Sequence, residues 1–280
     1  MSLPTNFFIG RGGGASALTE YINQTAGNFT THISNVYTYR GLTTTPTNTG
    51  YARRWVLTSG QTASETIRFG TIDRTTGVWS QTHTINSSFS YNQRDRFYDG
   101  TRVYVLSYTG DYLYYAAKSN LHSTNNVSLS SAGMSFSGNG NSPWGLAYQN
   151  SNDRLHMFAY SGDTWYIDNV STYSPTGGST SGNISWYDGT GTQIDACCGT
   201  YDYDADVFYI GAYNNATGKI FVCNPDGSYV DEYSDSNRPS TNIAIDAMHY
   251  DDGMLVVQYG GNEAIGGVSG YNMRCYSKNI

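Results

Sequence analysis

The sequence predicts an all-β fold, and specifically a β-propeller, from its composition and from an internal repeat. Aromatic residues make up 15 % of the chain and charged residues only 13 %, whereas disordered chains have few aromatic residues and many charges. Tyrosine, threonine and valine favour strands, while glycine and asparagine favour the turns between strands. The composition therefore indicates many short strands that are joined by tight turns.

An apolar strand pattern recurs along the chain at intervals of about 50 residues, which is a typical propeller period. A turn that contains Asp, Asn or Gly precedes most copies. A second turn follows the strand. In two units it has the same sequence, Tyr-(Thr/Ser)-Gly-Asp, which begins at Tyr108 and at Tyr160. The six copies of the strand lie at 6–11, 53–59, 102–108, 154–160, 206–213 and 253–259.

One repeat unit has room for four short strands joined by turns, which corresponds to one blade of a propeller. A single blade cannot bury both of its faces, but blades stacked in a ring can, and closure of the ring protects the sheet edges. We therefore predict that residues 1–280 form a single domain, a six-bladed β-propeller of four-stranded antiparallel blades. A β-sandwich is the alternative architecture.

The first unit is shorter than the others, and this bears on how the ring closes. Residues 6–11 match a second strand with almost no sequence ahead of them. Closure would then require a strand from the C-terminal end, for which residues 271–280 are the candidate. Residues 16–24 occupy the place of a third strand in the first unit.

Charge and hydropathy argue against nucleic acid as a partner and against a membrane-spanning helix or a signal peptide. The formal net charge is −7 and basic residues are scattered, so no basic patch is present to displace counterions from a nucleic acid. No apolar run approaches 18 residues, so we expect no membrane-spanning helix. Residues 1–14 lack a basic segment followed by an apolar one, and we expect no signal peptide.

Three aspartates in one predicted turn are weak candidates for a metal site. Asp202, Asp204 and Asp206 are spaced like the start of a calcium-binding loop. The EF-hand pattern fails further on, because Val207 and Tyr213 stand where it requires Gly and Glu. The alternative is an ordinary hairpin turn, so we expect no cofactor, with calcium as the candidate ion if one binds.

Two further carboxylates fall on predicted innermost strands, which line the central channel of a propeller. Asp195 and Asp246 each stand in an Ile-Asp-Ala sequence, and we expect them to occupy equivalent positions in neighbouring blades. They could bind a cation or a polar ligand in the channel. They could equally accept hydrogen bonds from the backbone of the adjacent blade.

Aromatic residues near turns are the candidates for stacking on a sugar or a protein partner. Trp144, Trp186 and Tyr187 are the best placed of these, and packing in the core is the alternative for each.

Cysteine and histidine offer no recognisable catalytic or zinc-binding pattern. The adjacent pair Cys197-Cys198 should point to opposite faces of a strand, and we expect its thiols to pack as small apolar groups. His156 lies inside an apolar strand, where a packed ring with one hydrogen bond is expected.

The segment "NFFIGRGGG" (6–14), together with the abundance of Gly, Asn, Ser, Thr and Tyr, resembles virion proteins of tailed bacteriophages. The resemblance implies a non-enzymatic structural protein of the tail, a fibre or the capsid decoration. Its partners would be other virion proteins and a host-surface glycan. It would be located in the virion after assembly in the host cytoplasm.

Two other functions remain open from the sequence. A lectin propeller would repeat a glycan pocket at each blade junction, but the Tyr-(Thr/Ser)-Gly-Asp sequence is intact in only two units. A propeller glycosidase or lyase would require acids, bases or metal ligands that converge on the channel. Asp195, Asp246 and the three aspartates of the 202–206 turn are the available groups.

Overall fold

The computed structural model describes most of the chain from Thr19 to Ser277. The described backbone comprises residues 19–22, 39–45, 54–59, 64–72, 79–88, 93–98, 102–107, 112–117, 126–128, 130–136, 143–159, 164–170, 178–212, 219–234, 245–251, 254–259, 264–265, 268–269 and 272–277. Side chains are described mainly between residues 130 and 257. No described helix is both long and apolar enough to cross a membrane.

The first two sheets each contain four antiparallel strands and a fifth, parallel strand at the outer edge. Sheet 1 consists of β2 (Tyr39–Thr45), β3 (Arg54–Ser59), β4 (Ser64–Ile72), β5 (Trp79–Ser88) and the parallel β9 (Asn126–Ser128). Sheet 2 consists of β6 (Gln93–Tyr98), β7 (Arg102–Ser107), β8 (Tyr112–Ala117), β10 (Ser130–Ser135) and the parallel β14 (Gly178–Ser179).

The next three sheets have four antiparallel strands each. Sheet 3 consists of β11 (Pro143–Gln149), β12 (Arg154–Ala159), β13 (Thr164–Asp168) and β15 (Gly182–Ile184). Sheet 4 consists of β16 (Ala196–Asp202), β17 (Val207–Ala212), β18 (Lys219–Cys223) and β19 (Tyr229–Ser234). Sheet 5 consists of β20 (Ile245–Asp251), β21 (Met254–Tyr259), β24 (Asn272–Ser277) and β1 (Thr19–Ile22). A two-stranded hairpin, β22 (Ala264–Ile265) and β23 (Val268–Ser269), completes the described strands.

The first strands of the five sheets contact one another in a closed cycle. Strand β2 contacts β6, β6 contacts β11, β11 contacts β16, β16 contacts β20, and β20 contacts β2. This arrangement is that of propeller blades around an axis, and the predicted all-β fold of four-stranded antiparallel sheets is confirmed. Six blades are not confirmed, because the described residues form five such sheets.

The second strand of every sheet lies at one of the sequence copies. Strands β3, β7, β12, β17 and β21 fall within the segments that begin at 53, 102, 154, 206 and 253. The copy at 6–11 lies outside the described residues. The assignment of residues 1–280 to a single domain stays a prediction.

The ring closes in the opposite sense to the one expected from the sequence. Residues 16–24 contain a strand, β1, as predicted. It pairs with β24, however, as the outermost strand of sheet 5. Strand β24 lies within residues 271–280 and is the third strand of the same sheet. The N-terminal strand therefore completes the last blade, whereas we expected a C-terminal strand to complete the first.

Every innermost strand carries a break in its pairing with the second strand. The shifts in register lie between Tyr39 and Leu42, Gln93 and Arg96, Pro143 and Gly145, Ala196 and Cys198, and Ile245 and Ala247. Such bulges bend a strand and change the direction of its side chains. Because a bulge recurs near the start of each of the five innermost strands, it is a regular feature of the blades.

The cores of sheets 3, 4 and 5 lie at the junctions between blades. One cluster joins Trp144 of β11 to residues of sheets 4 and 5, including Cys198 and Ile245. A second joins Phe158 of β12 to residues of sheet 4, including Phe208. Adjacent blades therefore share their apolar side chains, as expected for stacked sheets that cannot bury both faces alone.

Candidate functional site

Trp186 is a core residue, so it has no exposed face on which a ligand could stack. Its side chain is fully buried, and its indole N–H donates to the Thr164 hydroxyl over 2.8 Å. Its ring contacts Phe158 and Phe208, with centroids 6.1 and 5.0 Å away. Of the two interpretations weighed for this residue, core packing matches the structure.

Trp144 is also in the interior. It stands at the bulge of β11, between Pro143 and Gly145, and only 9 % of it is exposed. The bulge directs the ring into the cluster shared by sheets 3, 4 and 5. Trp144 therefore joins blades to one another.

Tyr187 is the one predicted aromatic residue that the structure leaves exposed, to 41 %. Tyr187 begins a loop that the Asp188 carboxylate stabilises. Asp188 Oδ1 accepts hydrogen bonds from the Thr190 N–H, the Thr190 hydroxyl and the Thr192 N–H. These bonds, chiefly that from the Thr190 side chain, lower the pKa of Asp188. The loop is thus ordered beside an exposed ring.

Asp195 and Asp246 do not occupy equivalent positions, and that expectation is wrong. Asp195 precedes β16, whereas Asp246 is the second residue of β20 and stands at its bulge. By register, the counterpart of Asp246 in sheet 4 is Cys197. The Asp195 Oδ1 atom is buried and has no hydrogen-bond partner among the described residues, and the side chain of Asp246 lies outside them.

Asp202, Asp204 and Asp206 accept hydrogen bonds from three different tyrosines. The Tyr209 hydroxyl donates to Asp202 over 3.1 Å, the Tyr250 hydroxyl to Asp204 over 2.7 Å, and the Tyr201 hydroxyl to Asp206 over 2.6 Å. Asp202 Oδ1 also accepts the backbone N–H groups of Asp204 and Ala205, which is how an Asp side chain stabilises a tight turn.

The carboxylates of this turn therefore do not converge on a common point. Within the described part of the chain, no group of three or more His, Cys, Asp or Glu side chains is placed to hold a metal ion. The structure thus supports the hairpin interpretation of Asp202, Asp204 and Asp206, and it gives no support to the calcium interpretation.

The tyrosines of this network remain protonated donors at neutral pH. Burial raises the pKa of Tyr209, and the neighbouring Asp202 carboxylate acts in the same direction. Burial also raises the pKa values of Tyr250 and Tyr201, with hydrogen bonds to Asp204 and Asp206 as the next largest causes. A phenol that stays protonated keeps its hydrogen bond to a carboxylate, and bonds to charged groups are the stronger ones.

Two of these tyrosines tie the turn of one blade to the next. The Ser151 hydroxyl of sheet 3 donates to the Tyr201 hydroxyl oxygen of sheet 4 over 2.9 Å, because the Tyr201 proton is donated to Asp206. Tyr250 of sheet 5 reaches Asp204 of sheet 4, and its backbone N–H donates to the Thr200 hydroxyl. The turns of sheets 3 and 4 and strand β20 of sheet 5 are thereby linked. We call the surface formed by the two turns the turn surface; its exposed residues are Asn150, Ser151, Asn152, Tyr203, Asp204 and Asp206.

Tyr203 is the exposed ring of the turn surface, and the sequence analysis missed it. It is 42 % exposed, and its ring lies edge-on to that of Tyr250, with the centroids 5.6 Å apart. Tyr203 lies in a turn, outside the paired strands, and its contact with Tyr250 of the neighbouring blade leaves much of the ring exposed. The position of Tyr203 in a predicted turn, rather than its residue type, was the feature of the sequence that could have indicated its exposure.

Comparisons with known proteins relate the chain to others through its fold. No protein-family model matches the sequence, and no curated protein sequence matches it. Among solved structures, the chain is similar to glutaminyl cyclase of Myxococcus xanthus, with a TM-score of 0.54 and 11 % identity. The match covers 95 % of this chain and 94 % of that one. At this identity the similarity shows a common propeller-like fold and nothing of activity.

Two more distant similarities cover about half of larger proteins. A Bacteroides thetaiotaomicron VPI-5482 protein of unknown function has a TM-score of 0.47 and 13 % identity, over 90 % of this chain and 56 % of that one. Hydrazine synthase of Kuenenia stuttgartiensis has a TM-score of 0.45 and 13 % identity, over 81 % of this chain and 56 % of that one.

Proposed function

We propose that this chain is a non-enzymatic structural component of a tailed-phage particle that contacts the host surface through its turn surface. One observation carries the contact: an exposed tyrosine and two exposed carboxylates share a turn that hydrogen bonds connect to both neighbouring blades. Flat aromatic faces that are flanked by hydroxyl-binding groups suit a carbohydrate. The host-surface partner is accordingly a glycan.

The charge of the surface favours a neutral glycan over an acidic one. Asp204 and Asp206 are exposed in the same turn as Tyr203, and the whole chain carries a formal net charge of −7. A sulfated or carboxylated sugar would meet like charges there, and like charges oppose association. The hydroxyl groups of a neutral sugar can instead donate to the carboxylates.

A structural role is also supported by the hydrogen bonding and burial of the titratable side chains in sheets 3 and 4. Asp202, Asp204 and Asp206 each accept a hydrogen bond from a tyrosine hydroxyl, and His156 is buried in the core. Glutaminyl cyclase activity belongs to the Myxococcus protein, and a common fold does not carry it over. Under this proposal the protein has other virion proteins as partners, does not bind nucleic acid, and is located in the virion after assembly in the host cytoplasm.

Mass spectrometry of gradient-purified phage particles tests the virion role. We expect peptides of this chain to co-purify with capsid and tail proteins at a constant ratio across the particle peak. Peptides confined to the soluble fraction of the lysate would overturn the proposal.

Replacement of Tyr203 with alanine is expected to weaken binding of the purified protein to host cells or to an arrayed neutral glycan at least tenfold. Truncating one buried contact tyrosine in an interface costs on the order of 2 kcal/mol. Tyr112→Ala is the matched control, since Tyr112 is exposed to a similar extent, 44 %, but lies in sheet 2. Equal binding by the two variants, with equal melting temperatures, would refute a role for the turn surface.

A further inference from the structure

Two adjacent cysteines share one hydrogen-bond acceptor. The thiols of Cys197 and Cys198 in β16 both donate to the carbonyl oxygen of Ile245, over 3.0 and 3.1 Å. The two sulfur atoms therefore cannot be farther apart than these distances together, about 6 Å. Neither residue is in a disulfide, and both are fully buried.

The bulge in β16 is what brings the sulfurs together. In a regular strand, adjacent side chains point to opposite faces, and we expected this for Cys197 and Cys198. That expectation is wrong, because the pairing register shifts between Ala196 and Cys198 and both thiols reach the same atom of sheet 5. The bulge thus brings to one carbonyl oxygen two thiols that a regular strand would separate.

A glycine leaves the space that the second thiol occupies. A Cβ atom on Gly211 of β17 would lie 2.7 Å from the Cys198 sulfur, which is closer than such atoms approach. The thiol thus lies directly over the backbone of the neighbouring strand. The carbonyl oxygen of Gly211 is 3.5 Å from the Cys197 sulfur.

We propose that Cys197 and Cys198 form a two-thiolate binding site for one soft divalent cation, of the class represented by Hg²⁺. The site lies at the junction of sheets 4 and 5, and it is independent of the turn surface and of the proposed function. Thiolate sulfur selects soft cations over Mg²⁺ and Ca²⁺, which prefer oxygen ligands.

Binding exchanges two protons for the cation without any change in oxidation state. Two S–H bonds break, two metal–sulfur bonds form, and both protons leave to solvent. With metal–sulfur distances of about 2.3 Å, the value for Zn²⁺, sulfurs on opposite sides of a cation are about 4.6 Å apart, which is below the upper bound of about 6 Å on their separation here. A divalent cation with two thiolates is neutral, so no net charge is buried in the interior.

Native mass spectrometry after incubation with Hg²⁺ tests the site. The Cys223→Ser/Cys275→Ser double variant is used so that the adjacent pair supplies the only thiols. We expect each folded chain to gain one mercury atom and lose two protons, with a higher melting temperature and no cross-linked dimers. Mercury that displaces one proton, bridges two chains or fails to bind would overturn the proposal.

Single variants on the same background separate chelation from simple thiol binding. Adding Cys197→Ser or Cys198→Ser should weaken retention of mercury against glutathione at least a hundredfold, since one sulfur remains. Equal retention would contradict a shared site. As a measurement on the unmodified chain, one equivalent of Hg²⁺ should protect Cys197 and Cys198 from alkylation in mild denaturant. Protection of Cys223 in their place would equally contradict the site.

Discussion

Acidification from pH 7 to pH 4 is expected to lower the free energy of unfolding by about 3 kcal/mol through the single residue His156. The ring is fully buried in sheet 3, next to Phe208 and Trp186. Burial, with a smaller contribution from the positive charge of Arg154, lowers the pKa of His156 from 6.5 to about 3. In the unfolded chain the same histidine titrates at its ordinary pKa.

The direction of the effect follows from where the proton binds. Between pH 6.5 and pH 3 the unfolded chain takes up a proton that the folded chain excludes, so stability decreases as the pH falls through this window. Well above pH 6.5 both states are neutral at this residue, and this source of pH dependence is absent. The neutral ring has one hydrogen bond, between its Nε2 and Gln149 Oε1 over 3.2 Å, and its buried Nδ1 has no partner among the described residues.

His156→Gln isolates this contribution, because glutamine does not titrate and can still bond to Gln149. The variant should be less stable than the wild type at pH 7, and the difference between them should shrink by about 3 kcal/mol at pH 4. Urea unfolding at several pH values measures both curves. Parallel curves would show that His156 is not excluded from protonation in the folded protein.

Gly227→Ala is expected to destabilise the protein by at least about 3 kcal/mol, or to prevent folding. Gly227 lies in the turn between β18 and β19 with φ at +89°, a region in which side chains are strained. A Cβ atom there would also lie 2.0 Å from the carbonyl oxygen of Ser185. That carbonyl belongs to backbone that is itself fixed, since the N–H of Tyr187 donates to the carbonyl oxygen of Gly227.

Gly191→Ala is the matched control, because it introduces a Cβ atom at a positive φ without the steric overlap that Gly227→Ala creates with the Ser185 carbonyl oxygen. Gly191 has φ at +81°, but nothing lies within 4 Å of a Cβ atom placed on it. This variant should lose only the conformational term, about 1 kcal/mol. Thermal and urea unfolding of both variants measure the difference, and equal losses would contradict the close contact between residues 185 and 227.

The repeat was readable from the sequence because second strands lie in similar surroundings in every blade. The apolar runs that contain Trp55, Val105, Met157, Tyr209 and Val256 all fall on second strands of sheets. The number of blades was not readable in this way. A local pattern identifies strands, but which chain end supplies the last strand of the ring depends on pairing between β1 and β24, far apart in the sequence.

The candidate site was less predictable because it depends on single-residue shifts in register. The bulges at Trp144 and Cys197 redirect side chains that regular alternation would place differently. The exposure of an aromatic residue likewise depends on the neighbouring blade, which is why Trp186 is buried and Tyr203 is not. Residue types identified Asp202, Asp204 and Asp206, but only the structure shows that tyrosines of two sheets donate hydrogen bonds to them.

Disulfide cross-linking of the two ends of the chain tests ring closure most directly. Thr19 and Ser277 are direct partners in the β1–β24 pair, and Cα atoms so paired are close enough for a disulfide. Thr19→Cys/Ser277→Cys should form an intramolecular disulfide in the monomer and raise stability by up to about 5 kcal/mol, because the bond closes almost the whole chain. Thr19→Cys/Asn272→Cys, displaced by about 17 Å along β24, should remain reduced. A cross-link in the second variant, or a first variant that stays reduced or links two chains, would contradict the closed ring.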